Sequence, residues 1–166
     1  WPDDLPKHLS VPETSLFTNL EISARRFPDK PAIVYYDTLI TYTELLREVE
    51  ALAGYLQHLG VKKGDRVLLY MQNSPQFTIA YYAILRADAV VIPVNPMNHS
   101  AELEHYLHDT GASVCLCGQE LTGFIAPLVG TANLAHVVVA AYSDYARVPT
   151  DLALPAEVQA AAVTPS

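Results

Sequence analysis

The sequence predicts an α/β fold: a mainly parallel sheet flanked by helices, preceded by a short β-hairpin. Two observations predict it. Apolar runs of strand length alternate with amphipathic helical segments from residue 65 to 141, and those runs are apolar throughout instead of alternating with polar residues. The latter pattern belongs to strands covered on both faces. At 166 residues with 51% hydrophobic and 17% charged content, the chain is long enough to bury one sizeable core.

The elements follow in order. SLFTNLEISARRF (15–27) carries Leu16, Leu20, Ile22 and Phe27 in a helix-like pattern, which Pro28 and Pro31 end. AIVYY (32–36) and LITY (39–42) are β-rich runs separated by Asp37 and Thr38, which predicts a tight hairpin turning there. TYTELLREVEALAGYLQHLG (41–60) reads as a helix. Thr41 and Glu44 have capping-box spacing, Leu45, Val49, Leu52, Leu56 and Leu59 form one face, and Gly60 supplies the stop with Val61 packing back.

DRVLLYM (65–71) is a strand that feeds a helix capped by Ser74 with Pro75 in its first turn. DAVVIPV (88–94) is the next strand, and SAELEHYLHDTG (100–111) the next helix, with Ser100 as cap and Gly111 as stop. ASVCLC (112–117) follows as a strand, QELTGFIAPLVG (119–130) as a helix weakened by Gly123 and Pro127, and HVVVAA (136–141) as the last strand. Residues 1–13 read as an N-terminal arm, 14–142 as the α/β subdomain, and 143–166, with scattered prolines and an alanine cluster, as a linker or loosely docked tail.

A formal charge of −8 gives no footprint for nucleic acid or an anionic membrane, so small molecules or proteins are the expected partners. No apolar run approaches the roughly 20 residues of a transmembrane helix, because Pro93 and Asn95 interrupt AVVIPV. The start, WPDDLPKHLS, lacks both an initiator Met and a signal-peptide layout, which reads as a trimmed terminus and a cytoplasmic location. Cys115 and Cys117 stand two apart, on one face of a strand and too extended to bridge easily. They read as reduced core thiols, and a lone CxC lacks the second ligand pair of a zinc site.

No GxGxxG follows a strand and no GxxxxGK[ST] occurs, which disfavours dehydrogenase and P-loop chemistry. Ser74 lacks the glycines of a GxSxG elbow and reads as a helix cap. His99, His105 and His108 cluster by count, but His99 precedes the helix that carries the other two, so they read as solvated surface. Glu102 and Glu104 read as favourable charge near a helix start, and Asp88 as a turn residue. Ligands of open parallel sheets gather beyond the carboxyl ends of the strands. That rule selects Asn73, Asn95 and Met97, with Gln119, as crevice-lining candidates, each weighed against an ordinary turn-forming role.

The ordered pieces TYTEL, GVKKGDRV, NSPQF and PVNPM, followed by AELEHYLHDTGASVCLC, resemble the start of the adenylate-forming acyl-CoA synthetases, the AMP-binding enzyme family, over about residues 12–141. The PVNPM version looks most like long-chain fatty-acid-CoA ligases. The resemblance implies the N-terminal subdomain of the adenylate-forming fold. For a full-length parent it implies ATP-dependent activation of a fatty acid as an acyl-adenylate and transfer to coenzyme A, with Mg2+. One departure is Asp88, in RADA, where the family usually has glycine. The family's phosphate loop, its adenylate and magnesium motif and its catalytic lysine would all lie after residue 166. No catalytic, cofactor-binding or metal-binding residue is therefore assigned here, and the chain alone is expected to be inactive and to self-associate through uncovered apolar surface. The alternative is a freestanding, non-catalytic α/β binding or interaction module.

Overall fold

A computed structural model describes residue 2, residues 6–8 and residues 11–163. The outermost residues of the expected arm and tail lie outside the described residues. The described chain holds a four-stranded parallel sheet and a separate antiparallel pair.

Helix α1, Leu16–Arg26, is capped by Ser15, whose side chain accepts from Thr18 N. It buries Phe17, Leu20 and Ala24, whereas Leu16, Ile22 and Phe27 are exposed. The expected stripe is thus corrected. Residues 17, 20 and 24 share the helix face that the 3.6-residue period aligns, and Leu16 and Ile22 fall off its edges.

Strands β1, Pro31–Tyr35, and β2, Thr38–Thr41, pair Tyr35 with Thr38. The hairpin turn is therefore Tyr36–Asp37 and not Asp37–Thr38. Both residues have positive φ, 44° and 64°, as a two-residue turn matching the strand twist requires. Thr38 pairs in the strand and is buried.

Helix α2, Tyr42–His58, starts at Thr41, whose hydroxyl accepts from Glu44 N at 3.2 Å. The Glu44 carboxylate does not return the bond to complete a box; it pairs with Arg147. Gly60, at φ 92°, closes the helix, and Val61 N donates to Leu56 O while its side chain is buried.

Strands β3, Arg66–Tyr70, β4, Val90–Pro93, β5, Val114–Gly118, and β6, His136–Ala140, lie side by side in the order β4-β3-β5-β6, all parallel. Alternate residues face opposite layers. Val67, Leu69, Val114 and Leu116 pack with α1, α2 and helix α3, Pro75–Arg86. Leu68, Tyr70, Cys115 and Cys117 pack with helix α4, Ser100–Thr110, and with the segment after β5. Both cysteines are free and fully buried. Pro75 opens α3 behind the Ser74 cap, whose hydroxyl accepts from Phe77 N at 3.1 Å.

Two expectations about the second half are corrected. The cap of α4 is His99; Ser100 is the first helical residue, and its hydroxyl donates to Phe124 O at 2.8 Å. His99 stacks on Phe124, which fixes it one position earlier. The expected helix over 119–130 is a 3-10 turn (Gln119–Leu121), a single α-turn α5 (Thr122–Ile125) and a second 3-10 turn (Ala126–Leu128). Pro127 has no N–H to continue the α ladder, and Gly123 lacks helix propensity.

Beyond β6 the chain returns over the body through a 3-10 turn, Tyr142–Tyr145, and helix α6, Ala156–Gln159. Val158 is buried in the same cluster as α1–α3. Burying a valine stabilises by roughly 1.5–3 kcal/mol, against about 0.2–1 kcal/mol for a solvent-exposed ion pair such as Arg147–Glu44. Apolar burial therefore dominates the docking of residues 143–163. Among the described residues, no helix is long and apolar enough to cross a membrane.

Candidate functional site

At its carboxyl end, β3 leads into α3 on one face of the sheet, while β5 leads into Leu121 and Ile125 on the other. Neighbouring strands whose connections leave to opposite faces create the crevice in which open α/β sheets take ligands. Here the crevice contains Tyr142. Its hydroxyl accepts from Gln72 N at 2.8 Å and donates to Glu120 Oε1 at 2.9 Å, and the residue is 1% exposed. A Cβ on Gly118, the last residue of β5, would stand 2.2 Å from that hydroxyl. Only glycine leaves the ring room.

The electrostatics hold this group neutral. Burial pushes the Tyr142 hydroxyl well above the ordinary tyrosine range, with the Glu120 charge adding to the effect. Burial also raises the Glu120 carboxyl, although its own backbone and the Tyr142 hydroxyl partly offset this by stabilising the anion. Glu120 as a residue remains solvent-exposed, so the shift reflects the inner side of its carboxylate. Alongside, Gln76 Nε2 donates to Ala141 O at 2.6 Å, and its buried Oε1 has no partner. A neutral phenol bridging an amide and a carboxylate is a structural junction; it contains no nucleophile paired with a base.

The residues selected from sequence fall on the same edge but do not converge. Asn73 is exposed between β3 and α3. The side-chain Oδ1 of Asn95 accepts from Met97 N at 2.9 Å, and Asn98 N donates to the backbone Asn95 O at 3.0 Å, a self-contained turn. Met97 projects into solvent, 83% exposed. Gln119 is bound to the returning chain: its Nε2 donates to Ala161 O and its Oε1 accepts from Val163 N. Among the described residues, the Asn95–Met97 bond is the only hydrogen bond that joins any two of these four, and it lies within one turn.

The remaining candidates separate as well. Asp88 lies at the opposite, amino end of β4 with φ 58°, and Gly64 N donates to its carbonyl. A left-handed residue there accounts for the glycine usual in the resembling family. His105 and His108 are exposed on α4, away from the His99–Phe124 stack. Among the described residues, no three His, Cys, Asp or Glu side chains are grouped to hold a metal.

Sequence reasoning missed Gln72, Gly118, Glu120 and Tyr142. The available signal was a glycine ending the strand VCLCG and a tyrosine directly after HVVVAA. Nothing local shows that they meet. Two cavities flank the outer strand β6. One of about 240 Å3 lies against Leu52, Ile79 and Val138, and one of about 510 Å3 against Thr122, Val137 and Val163.

Residues 20–165 match the family of AMP-binding enzymes. A long-chain-fatty-acid–CoA ligase of Bacillus subtilis (strain 168) is 34% identical over 155 residues, covering 93% of this chain and 28% of that protein. The ligase of the same name from Salmonella typhimurium (strain LT2) is 36% identical over 146 residues, covering 87% of this chain and 26% of that protein. Among solved structures, a long-chain-fatty-acid-CoA ligase from Archaeoglobus fulgidus superposes with a TM-score of 0.73 at 28% identity, over 80% of this chain and 28% of the other. The anthranilate CoA ligase AuaEII in complex with anthranoyl-AMP gives 0.72 at 25% identity, over 79% of this chain and 26% of the other. This chain thus spans only 26–28% of the length of these curated relatives.

Proposed function

The chain belongs to the AMP-binding enzyme family, and from that premise we propose that it is the N-terminal portion of a fatty-acid-CoA ligase. The parent enzyme activates a fatty acid with ATP as an acyl-adenylate and transfers the acyl group to coenzyme A in the cytoplasm. The observation that carries this reading is the 34–36% identity to long-chain-fatty-acid–CoA ligases across 87–93% of the chain. The fold and the ordered pieces from TYTEL to PVNPM agree with it.

We further infer that the described residues hold neither ATP nor Mg2+ by themselves. Supporting this, the sheet's crevice is filled by Tyr142 beside a carboxylate, and among the described residues no three His, Cys, Asp or Glu side chains are grouped to hold a metal. Stabilising a transferring phosphoryl group needs converging cationic and backbone donors. In this proposal residues 1–166 contribute scaffold, and the chain alone does not catalyse. Asn73, Asn95 and Met97 line a crevice completed by the rest of the parent, and the apolar surface around β6 makes the isolated chain self-associate.

ATP–pyrophosphate exchange with palmitate tests the reading. The expected result is no exchange from residues 1–166 and exchange from the parent chain extended through its downstream region. Exchange by the short chain would overturn its inactivity, and an extended chain inert with every fatty acid would overturn the ligase reading.

A further inference from the structure

The crevice between the ends of β3 and β5 has the form of a small aromatic site. One wall offers a donor, Gln72 N–H, the other an acceptor, the Glu120 carboxylate, and the floor is Gly118, whose missing side chain admits a ring. The site lies where a doubly wound sheet takes its ligand. Its occupant belongs to the chain itself: Tyr142, from the segment after β6, satisfies both walls with one hydroxyl and is withdrawn from solvent.

We propose that Tyr142 is a built-in ligand of this switch-point crevice, which is therefore a phenol site closed from within and not a nucleotide site. The chemistry of the walls selects the class. A phenol can accept from an amide and donate to a carboxylate at the same time, whereas a fully ionised phosphate has no proton to donate and its negative charge is repelled by the Glu120 carboxylate. The same junction anchors the start of residues 143–163, which otherwise attach through Val158, through Arg147 N donating to the buried Thr38 Oγ1, and through surface contacts such as Thr150 Oγ1 to Asp37 Oδ2. The proposal rests on this geometry and stands independently of the ligase assignment.

The test empties the site in the 166-residue chain by Tyr142→Ala and adds p-cresol, the tyrosine side chain as a free molecule. The expected result is a saturable rise in Tm of the variant at roughly millimolar p-cresol, a much smaller rise with toluene, and no saturable rise in the wild-type chain. ATP is expected to give no shift in either. Equal responses of variant and wild type, toluene matching p-cresol, no shift in a folded variant, or ATP competing with p-cresol would each overturn the proposal. Should Tyr142→Ala fail to fold, Tyr142→Phe keeps the ring and removes only the hydroxyl. Hydrogen exchange at the Gln72 amide is then expected to quicken by about tenfold or more while the amides of β3 and β5 are unchanged. An unaltered Gln72 amide would sink the idea.

Discussion

Two loops at the same edge of the sheet follow opposite designs. The loop after β4 is closed mostly by its own residues: Asn95 closes its own turn, Glu102 accepts from His99 N, and Met97 stands in water. Tyr70 donating to Asn98 O and Phe124 stacking on His99 tie it to the body. The junction at β3 and β5 is built chiefly at long range; Gln72, Gly118, Glu120 and Tyr142 come from segments up to 70 residues apart. A polar loop whose partners are its neighbours tolerates change, because each loss is replaced by water. A buried junction built at long range does not, since a lost partner there leaves a group that water cannot reach.

The largest effect is expected at Gly118→Ala. The new Cβ would meet the Tyr142 hydroxyl at 2.2 Å and Glu120 Oε2 at 2.7 Å, so the ring must move. We expect a loss of about 1–3 kcal/mol in urea unfolding; a neutral result would show that the junction is loose. In the loop, Asn95→Ala removes one exposed side-chain bond to Met97 N and should cost about 0.5–1 kcal/mol. A cost equal to that of Gly118→Ala would abolish the distinction between the loops.

Smaller and opposite pH responses should distinguish the two carboxylates. The Glu120 carboxyl is raised, so its contribution to stability is complete below its ordinary pKa and fades as pH rises through the raised value. The Glu102 carboxyl is lowered by the backbone amides it accepts from, its own first and that of His99 next, so its contribution is complete above its ordinary pKa and fades as pH falls through the lowered value. Glu120→Gln should flatten the urea midpoint on the alkaline side of the carboxylate range, and Glu102→Gln on the acid side. Both variants flattening the same limb would contradict the assignment. Met97→Ala, at the exposed tip, should change stability by less than about 0.5 kcal/mol, and a larger thermal shift would reveal a contact that the fold does not show.

Much of the frame was legible because its signals are local. Ser74 before Pro75, Thr41 before the apolar face of α2, and Gly60 before Val61 each specify a helix end within a few residues. Where several local readings competed, tertiary contacts chose among them. His99 took the cap that Ser100 was expected to hold because Phe124 stacks on it. The hairpin turned one residue early because Thr38 pairs with Tyr35. In α1, Phe17 and Ala24 won the buried stripe over Leu16 and Ile22 because the neighbouring helices lie on their side.

By itself, the sequence determined the α/β class, the order of the strands and helices, and the family to which the chain belongs, since periodicity, caps and motif order are written in adjacent residues. Only the tertiary structure decided the strand order β4-β3-β5-β6 and, with it, which strand ends become neighbours. That order brings Gly118 under the ring of Tyr142 and carries its hydroxyl to Gln72 and Glu120. The physical reason is that sheet order depends on the burial of whole faces across the chain, and no short stretch of residues specifies it.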